Sequence, residues 1–276
     1  YQKICSRILR PFSDRFWDEG CPAPSIKGFK AHISLKPGAS PKFRQPYRLS
    51  KFDETRLLYL YEEAEVEGKV ERYQLGDKPP RVCTPVFIVD KKGSLIGRKV
   101  GDFTFFNQVT EEYYYPAPEA DKVLSEACGY ELHSLFDCVW GFEQVDLDDE
   151  SAELCSTLTP FGVFKSKKLP MGVKQGPPIY QHMQENAFQH EFQPNGDKLC
   201  SVFFDDTHSA DHDIESHIAT LEHVLTVARK YNIQYRLAKC VFAQPEVLLL
   251  GFICSVRGRT CDPKKLEQLR TWPAYK

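Results

Sequence analysis

The sequence predicts an α+β fold, and three observations carry that prediction. Two apolar strands each run into aspartate, at Leu132–Asp137 and at Leu199–Asp206. A long amphipathic helix follows the second of them, over about 212–231. Strands and helices mix along the chain without the strict alternation that a parallel sheet with crossover helices requires.

Each element has a local reason. Residues 20–50 hold several Pro and Gly and read as an extended arm. Ser50 and Asp53 have capping-box spacing. Leu57, Leu60, Tyr61 and Ala64 then repeat at helical intervals, which predicts a helix over about 53–68. Thr84–Val89 is β-branched and apolar and reads as a strand. Asp90-Lys91-Lys92-Gly93 is its turn, and 100–106 its partner strand. Pro118 opens a helix with Ala120, Val123, Leu124 and Ala127 on one face. Leu132–Phe136 is a short strand that delivers Asp137. Pro177-Pro178 suits the first turn of a helix reaching about Phe192. Leu199–Phe204 is a strand, Asp205-Asp206 a tight turn and Thr207–Ala210 the return. Ile214, Ile218, Leu221, Leu225 and Ala228 line one face of the 212–231 helix. Val247–Cys254 is a final buried strand. There is no internal repeat and no low-complexity tract.

Composition narrows the class. The chain has 276 residues, 42% hydrophobic and 27% charged, which fits one large or two modest globular domains. Disordered, collagenous and coiled-coil classes are excluded. The longest apolar run, Val247–Cys254, falls far short of the roughly 20 residues that span a bilayer, so no membrane partner is expected. The chain starts at Tyr1 and has two Met, so it reads as a piece of a longer protein. It shows no signal peptide, and an intracellular, non-secreted location is expected. Ten Cys show neither CxxC pairs nor zinc-finger spacing, and are expected to be buried, reduced thiols.

A net charge of -2 gives no hint of a nucleic-acid partner. The average hides segregation. Gly20–Phe52 holds seven basic residues and no acid, and Val123–Phe164 nine acids and no Lys or Arg. Leu154–Gln184 adds Lys165, Lys167, Lys168 and Lys174, again with no acid of its own between Leu154 and Gln184. Acids flanked by bases suit metal-binding carboxylates within cationic surroundings, although charge runs are more often solvated faces.

Three motifs carry chemistry. In Ser201–His208 an apolar strand runs into the paired carboxylates Asp205 and Asp206. A hard cation such as Mg2+ takes one or two carboxylates and leaves room for substrate phosphates. Adjacent strand residues face opposite ways, so a carboxylate from a neighbouring strand is expected to complete the site. Ser134–Phe142 supplies that candidate in Asp137. Leu169–Pro178 is a dense loop ahead of a helix, where backbone can approach a ligand. A competing reading is a metallohydrolase built from Asp205, Asp206, His208, Asp211 and His212. Their spread across a strand-to-helix junction weighs against it.

Taken in order, these motifs resemble the reverse transcriptases of gypsy-type LTR retrotransposons, from about Phe43 to Pro273. Phe43–Ser50 is similar to the segment that leads into the fingers. Thr84–Val89 with Lys91, Lys92, Gly93 and Arg98 resembles the fingers hairpin. Asp102-Phe103 and Asn107 match a "DYR-x-LN" segment, and Tyr115–Pro118 stands where "YPLP" is usual. Asp137, Gly141 and Phe142 follow, then Leu169–Gly172 with Gln181, then Phe203–Asp206. Lys239–Phe242 resembles "KC-x-F", and Leu250–Phe252 the "LG" primer-grip region. Phe203 replaces the usual Tyr, Thr104 the usual Arg, and Val139 and Trp140 smaller or charged residues.

The resemblance implies a right-hand polymerase fold of fingers and palm, the palm an antiparallel sheet backed by helices, with the thumb largely missing. It divides the chain into an arm over 1–30, fingers over 31–111 and 145–175, palm over 112–144 and 176–256, and the start of a thumb or connection over 257–276. It implies RNA-directed DNA polymerase activity, a nucleotidyl transfer from deoxynucleoside triphosphates to a primer 3′-hydroxyl. Asp137, Asp205 and Asp206 become the catalytic and metal-binding residues for two Mg2+ ions, or Mn2+, with Asp137 and Asp205 preferred as direct ligands. Lys91, Arg98, Phe142, Met171 and Lys239 become nucleotide-binding, with Phe142 excluding a ribose 2′-hydroxyl and Lys239 near the leaving pyrophosphate. Arg44, Lys168, Lys174 and Gly251 become contacts to an RNA or DNA template with its primer. RNase H and integrase segments of a Pol polyprotein are expected outside this chain, in a cytoplasmic particle or the nucleus. The alternative is a catalytically silent, nucleic-acid-binding remnant of such a polymerase.

Overall fold

The apolar stretch that ends in Asp137 becomes β4 (Leu132–Asp137), an inner strand of a four-stranded antiparallel sheet. The computed structural model describes residues 2–41 and 43–270, and for 268 and 269 the backbone alone. Lys42 of the basic arm and the chain beyond 270, where the expected thumb continues, lie outside the described residues. Contacts divide the molecule into two units.

The first unit holds Tyr1–Trp17, Pro116–Val139 and Gln184–Lys276. Its sheet adds β7 (Ser201–Phe203), β8 (Asp206–Asp211) and β9 (Val241–Gln244), in the order β7-β8-β4-β9. Helix α7 (Ile214–Tyr231) backs this sheet. Asp213 caps it by accepting the Glu215 and Ser216 N–H groups, and Asn232 ends it in a left-handed conformation. Ile218, Leu221, Val224 and Leu225 are fully buried, each contributing roughly 1.5–3 kcal/mol by leaving water. Val123 and Leu124 of α4 (Ala120–Glu126) pack with Val247, Leu249 and Cys254 against Leu135 and Phe203. The last three belong to a small sheet of β10 (Glu246–Leu249), β11 (Phe252–Ser255) and β12 (Gly258–Cys261), with α8 (Pro263–Arg270) after it. The single strand expected at Val247–Cys254 is thus a hairpin. It turns at Leu250-Gly251, both at positive φ, as a two-residue turn between right-twisted strands requires. Residues 1–17, read from sequence as part of an arm, fall in this unit. There α1 (Gln2–Ile4) and a π-turn (Cys5–Leu9) meet α7 through Lys3–Glu215 and Arg7–Glu222 ion pairs.

The second unit holds Asp18–Tyr115 and Trp140–Met183. Its sheet is ordered β1-β6-β5-β2-β3, from β1 (Val70–Arg72), β2 (Thr84–Lys91), β3 (Ser94–Gly101), β5 (Thr157–Thr159) and β6 (Gly162–Ser166). Only the β2–β5 pairing is parallel. Helix α2 (Lys51–Val66) starts where the capping spacing places it, with Ser50 Oγ accepting the Asp53 N–H at 3.0 Å. Its Leu57 and Tyr61 pack on Val86 and Phe164. The partner of β2 is 94–101 rather than 100–106. Asp90 and Lys91 extend the strand, the turn tightens to Lys92-Gly93, and Asp102 accepts the Thr104 N–H to start α3 (Thr104–Val109). The remaining helices are α5 (Asp149–Leu154) and α6 (Gly176–Phe188). Helix α6 stops at Phe188, short of the expected Phe192, because Phe192 bridges back to Lys198 across a turn containing Pro194.

All ten cysteines are free thiols. Four are buried, and Cys21 and Cys261 are exposed, so the expectation of general burial holds only in part. Among the described residues no helix is long and apolar enough to cross a membrane.

Candidate active site

Register decides which carboxylates meet. In the β4–β8 ladder Asp137 stands directly opposite Asp206. Phe203 pairs with Asp206, so the hairpin turns at Phe204-Asp205, not at Asp205-Asp206. Phe204 takes the left-handed conformation, φ 49°, that the turn demands. The alternation argument that ranked Asp206 below Asp205 therefore does not apply. Asp206 opens a strand and shares a face with Asp137, while Asp205 sits in the turn. The Cys138 N–H donates to the Asp205 carbonyl at 2.9 Å and holds that turn against the end of β4.

The three carboxylates strain one another electrostatically. Burial first, then the charges of Asp137 and Asp206, push the Asp205 carboxyl up to about 6. Burial and Asp137 also raise Asp206. Asp205 Oδ1 is buried with no hydrogen-bond partner. Lys239 Nζ donates to both oxygens of Asp137 at 3.0 Å. An unpartnered buried carboxylate oxygen beside two more carboxylates lacks positive charge, and its all-oxygen donors suit a hard divalent cation. Among the described residues no three or more His, Cys, Asp or Glu side chains come together as a group that could hold a metal ion. An Mg2+ site of one or two carboxylates, completed by water and phosphate, does not require one.

The other expected residues divide between the units. Lys239 and Gly251 lie in the first. Gly251 has φ +81°, and a Cβ there would meet only the flexible end of Lys265, so the backbone conformation is what requires glycine. Lys91 and Arg98 are exposed on the β2–β3 hairpin of the second unit, Arg98 opposite Val89. Phe142 follows Trp140 and Gly141, both at positive φ, and its ring meets buried Tyr180 edge-on at 5.1 Å. Trp140 lies under Lys69 Nζ at 3.4 Å, and Lys69 is paired with Glu67 and Glu143. Met171 is exposed on its loop. Two side chains hold that loop. Asn107 donates to the Gly172 carbonyl and accepts the Lys174 N–H, both at 2.8 Å. Gln175 accepts from Ser34 N and donates to the Ser34 and Glu111 carbonyls. Sequence reading saw Asn107 only as a motif match and Gln175 only as a loop residue.

One expected phosphate contact is corrected, and a second is engaged within its own unit. Lys168 is 5% exposed, and its ammonium donates to Pro24 O at 2.8 Å and Ser25 Oγ at 2.6 Å while pairing with Asp146 at 2.7 Å. All three of its donors are used. Lys174 Nζ donates to the Thr110 carbonyl and to Glu112, and its side chain stays partly exposed. Arg44 is half-buried, donating to Asp102 at 2.6 Å and lying over the Phe105 ring. The His/Asp cluster of the metallohydrolase reading is dispersed. His208 pairs with His133, Asp211 with His217, and His212 packs on Tyr130.

An antiparallel sheet with carboxylates at one end and helices behind it is the arrangement expected of a right-hand polymerase palm. The chain belongs to the reverse transcriptase (RNA-dependent DNA polymerase) family, whose model matches residues 94–254. Among its relatives in Drosophila melanogaster are the retrovirus-related Pol polyproteins from transposon opus and transposon 412. The first is 29% identical over 69% of this chain and 19% of its own length. The second is 26% identical over 99% of this chain and 21% of its own length. The chain thus spans about a fifth of these relatives. A foamy viral protease-reverse transcriptase solved with double-stranded DNA superposes over the whole chain and 46% of its own, with TM-score 0.87 at 16% identity. Another, solved with an RNA/DNA hybrid, gives 0.86 over the whole chain and 36% of its own, also at 16% identity. At that identity the likeness establishes the fold.

Proposed function

We propose that this chain is the polymerase core of an RNA-directed DNA polymerase, adding deoxynucleotides to a primer 3′-hydroxyl under the direction of a template. The observation that carries this reading is the register of Asp137 against Asp206, with the buried, unpartnered Oδ1 of Asp205 beside them. Bound there, two Mg2+ or Mn2+ ions would activate the attacking hydroxyl and neutralise the leaving oxygens. Asp137 and Asp206 would hold the cations from adjacent strands, and Asp205 from the turn. Lys239 balances Asp137 without a cation and is free to exchange it for a leaving pyrophosphate, to which it donates a proton. Lys91 and Arg98 neutralise the triphosphate, Arg98 through its planar fork. Phe142 excludes a ribose 2′-hydroxyl by volume, and Met171 lies near the nascent pair. Arg44 and the region of Gly251 serve template and primer. Further Pol segments are its neighbours, inside the cell.

Primer extension on an RNA template with Mg2+ and deoxynucleotides tests this. Incorporation is expected, and its loss in Asp137→Asn, Asp205→Asn and Asp206→Asn. A chain that binds primer-template and incorporates nothing is instead the silent remnant.

A further inference from the structure

A second polar cluster lies in the first unit, separate from the carboxylates. Ser134, Asp211, His217 and Thr220 are each at most 4% exposed. The Ala243 N–H donates to Ser134 Oγ at 2.9 Å. Ser134 Oγ and His217 Nε2 are hydrogen-bonded at 2.7 Å. His217 Nδ1 and Asp211 Oδ2 are bonded at 2.7 Å, and Thr220 donates to Asp211 Oδ1 at 3.1 Å. The order serine, histidine, aspartate is that of a hydrolytic nucleophile. Here it cannot act as one, since Ser134 and His217 have no exposed surface.

The strands explain what the chain of bonds does. Between His133↔Gln244 and Leu135↔Val241, β4 advances two residues and β9 three. The extra β9 residue is a bulge opposite Ser134, and such a bulge leaves a backbone group outside the ladder. Ala243 sits there at φ 46°, a conformation that costs a non-glycine residue roughly 1–2 kcal/mol. Its stranded N–H is the one that Ser134 accepts. The bulge lies four residues beyond Lys239, which grips Asp137, and Ser134 lies three before Asp137. Asp211 is five residues beyond Asp206 on the adjacent strand. One buried relay thus ties together both carboxylate-bearing strands, α7 and β9, which follows the turn that carries Lys239.

We infer that Ser134 and His217 are positioning residues: the Asp211–His217–Ser134–Ala243 relay fixes the β9 bulge, and through it the placement of Asp137 against Asp206 and Lys239. This rests on the proposed reading of those carboxylates as the cation site. The test measures Mn2+ binding by electron paramagnetic resonance, without nucleotide or nucleic acid, alongside thermal unfolding and primer extension. Ser134→Ala should stay folded, weaken Mn2+ roughly 10–100-fold, as loss of a supporting hydrogen bond does at metal sites, and lower kcat at unchanged deoxynucleotide KM. Ser134→Thr keeps the hydroxyl and should restore both. His217→Gln, which retains a donor and an acceptor, should fall between.

Wild-type Mn2+ affinity and kcat in a folded Ser134→Ala protein overturns the inference, as does failure of Ser134→Thr to restore them. If wild type binds Mn2+ through Asp137 yet extends no primer, the polymerase reading fails alone and the Mn2+ series still decides the relay. If wild type binds no Mn2+, both fall.

Discussion

Replacing Lys168 by alanine separates two roles for one ammonium. If it binds phosphate, its loss weakens nucleic acid and leaves the fold alone. If it is a buried strut, the reverse holds. Its three contacts, to Pro24, Ser25 and Asp146, all lie at 2.6–2.8 Å. Removing one partner of a fully buried pair costs about 3–5 kcal/mol. Asp146 remains 29% exposed and keeps a hydrogen bond from Ser25, so water relieves part of the penalty. We therefore expect about 2–3 kcal/mol, combining that relief with the usual worth of charged hydrogen bonds. For a domain of this size that lowers Tm by roughly 4–12 °C. Lys168→Met, which keeps the apolar stem, should lose less. Thermal unfolding gives the first number, and primer-template binding across a salt series gives the second. A slope of log affinity against log salt shallower by about 0.7–0.9, with unchanged Tm, would refute the argument, because that is the signature of one lost phosphate contact.

Three further outcomes follow from the geometry. The hydroxyls of Thr104 and Tyr47 lead in holding the Asp102 carboxyl at about 2. A carboxyl depressed in the folded state stabilises above its unfolded value near 4 and loses that contribution as pH falls toward 2. Asp102→Asn should lower Tm at pH 7 and flatten its fall between about pH 4 and 2, read from a pH series. Gly97 has φ +77°, and a Cβ would lie 2.8 Å from the Val89 carbonyl, so Gly97→Ala should cost roughly 1–3 kcal/mol and speed hydrogen exchange in the β2–β3 hairpin. Replacing Arg48 and Lys51 together by alanine should lower the salt slope of primer-template binding by up to about 1.4–1.8, while Lys167→Ala leaves it unchanged.

How much of this was legible in the sequence depended on whether the deciding contact was local. The α2 cap was readable because Ser50 and Asp53 are three residues apart. The strands that deliver Asp137 and Asp206 were readable because apolar runs ending in aspartate are strong local signals. The turn between Phe204 and Asp205 was not. Local preference favours aspartate in turns and disfavours phenylalanine at positive φ. Pairing of Asp206 with Asp137, 69 positions away in the chain, overrides both. The Val247–Cys254 run misled for a related reason. Its alternation of buried Val247 and Leu249 with half-exposed Leu248 marks one strand, and Gly251 inside the run marked the turn. Lys168 was illegible in principle, since Pro24, Ser25 and Asp146 are distant in sequence and nothing in a basic run announces burial.

The same distinction reshapes the charge argument. Counted along the chain, 154–184 is a basic stretch with no acid of its own, as 20–52 is. Counted in space, the two differ. Lys167 meets Glu71, Lys168 meets Asp146 and Lys174 meets Glu112, so most of the later stretch is neutralised by acids from elsewhere in its own unit. In the earlier stretch Lys27, Lys30, Arg48 and Lys51 are exposed, and no ion pair is found for them among the described residues. A phosphate backbone is attracted by charge that is not already spent, because counterion release requires the cation to face solvent before it faces phosphate. Of these two basic stretches, the uncommitted charge facing solvent is therefore concentrated in the 20–52 segment. The net charge of -2 adds this uncommitted basic surface to an excess of acids elsewhere in the chain, so the sum hides the local charge.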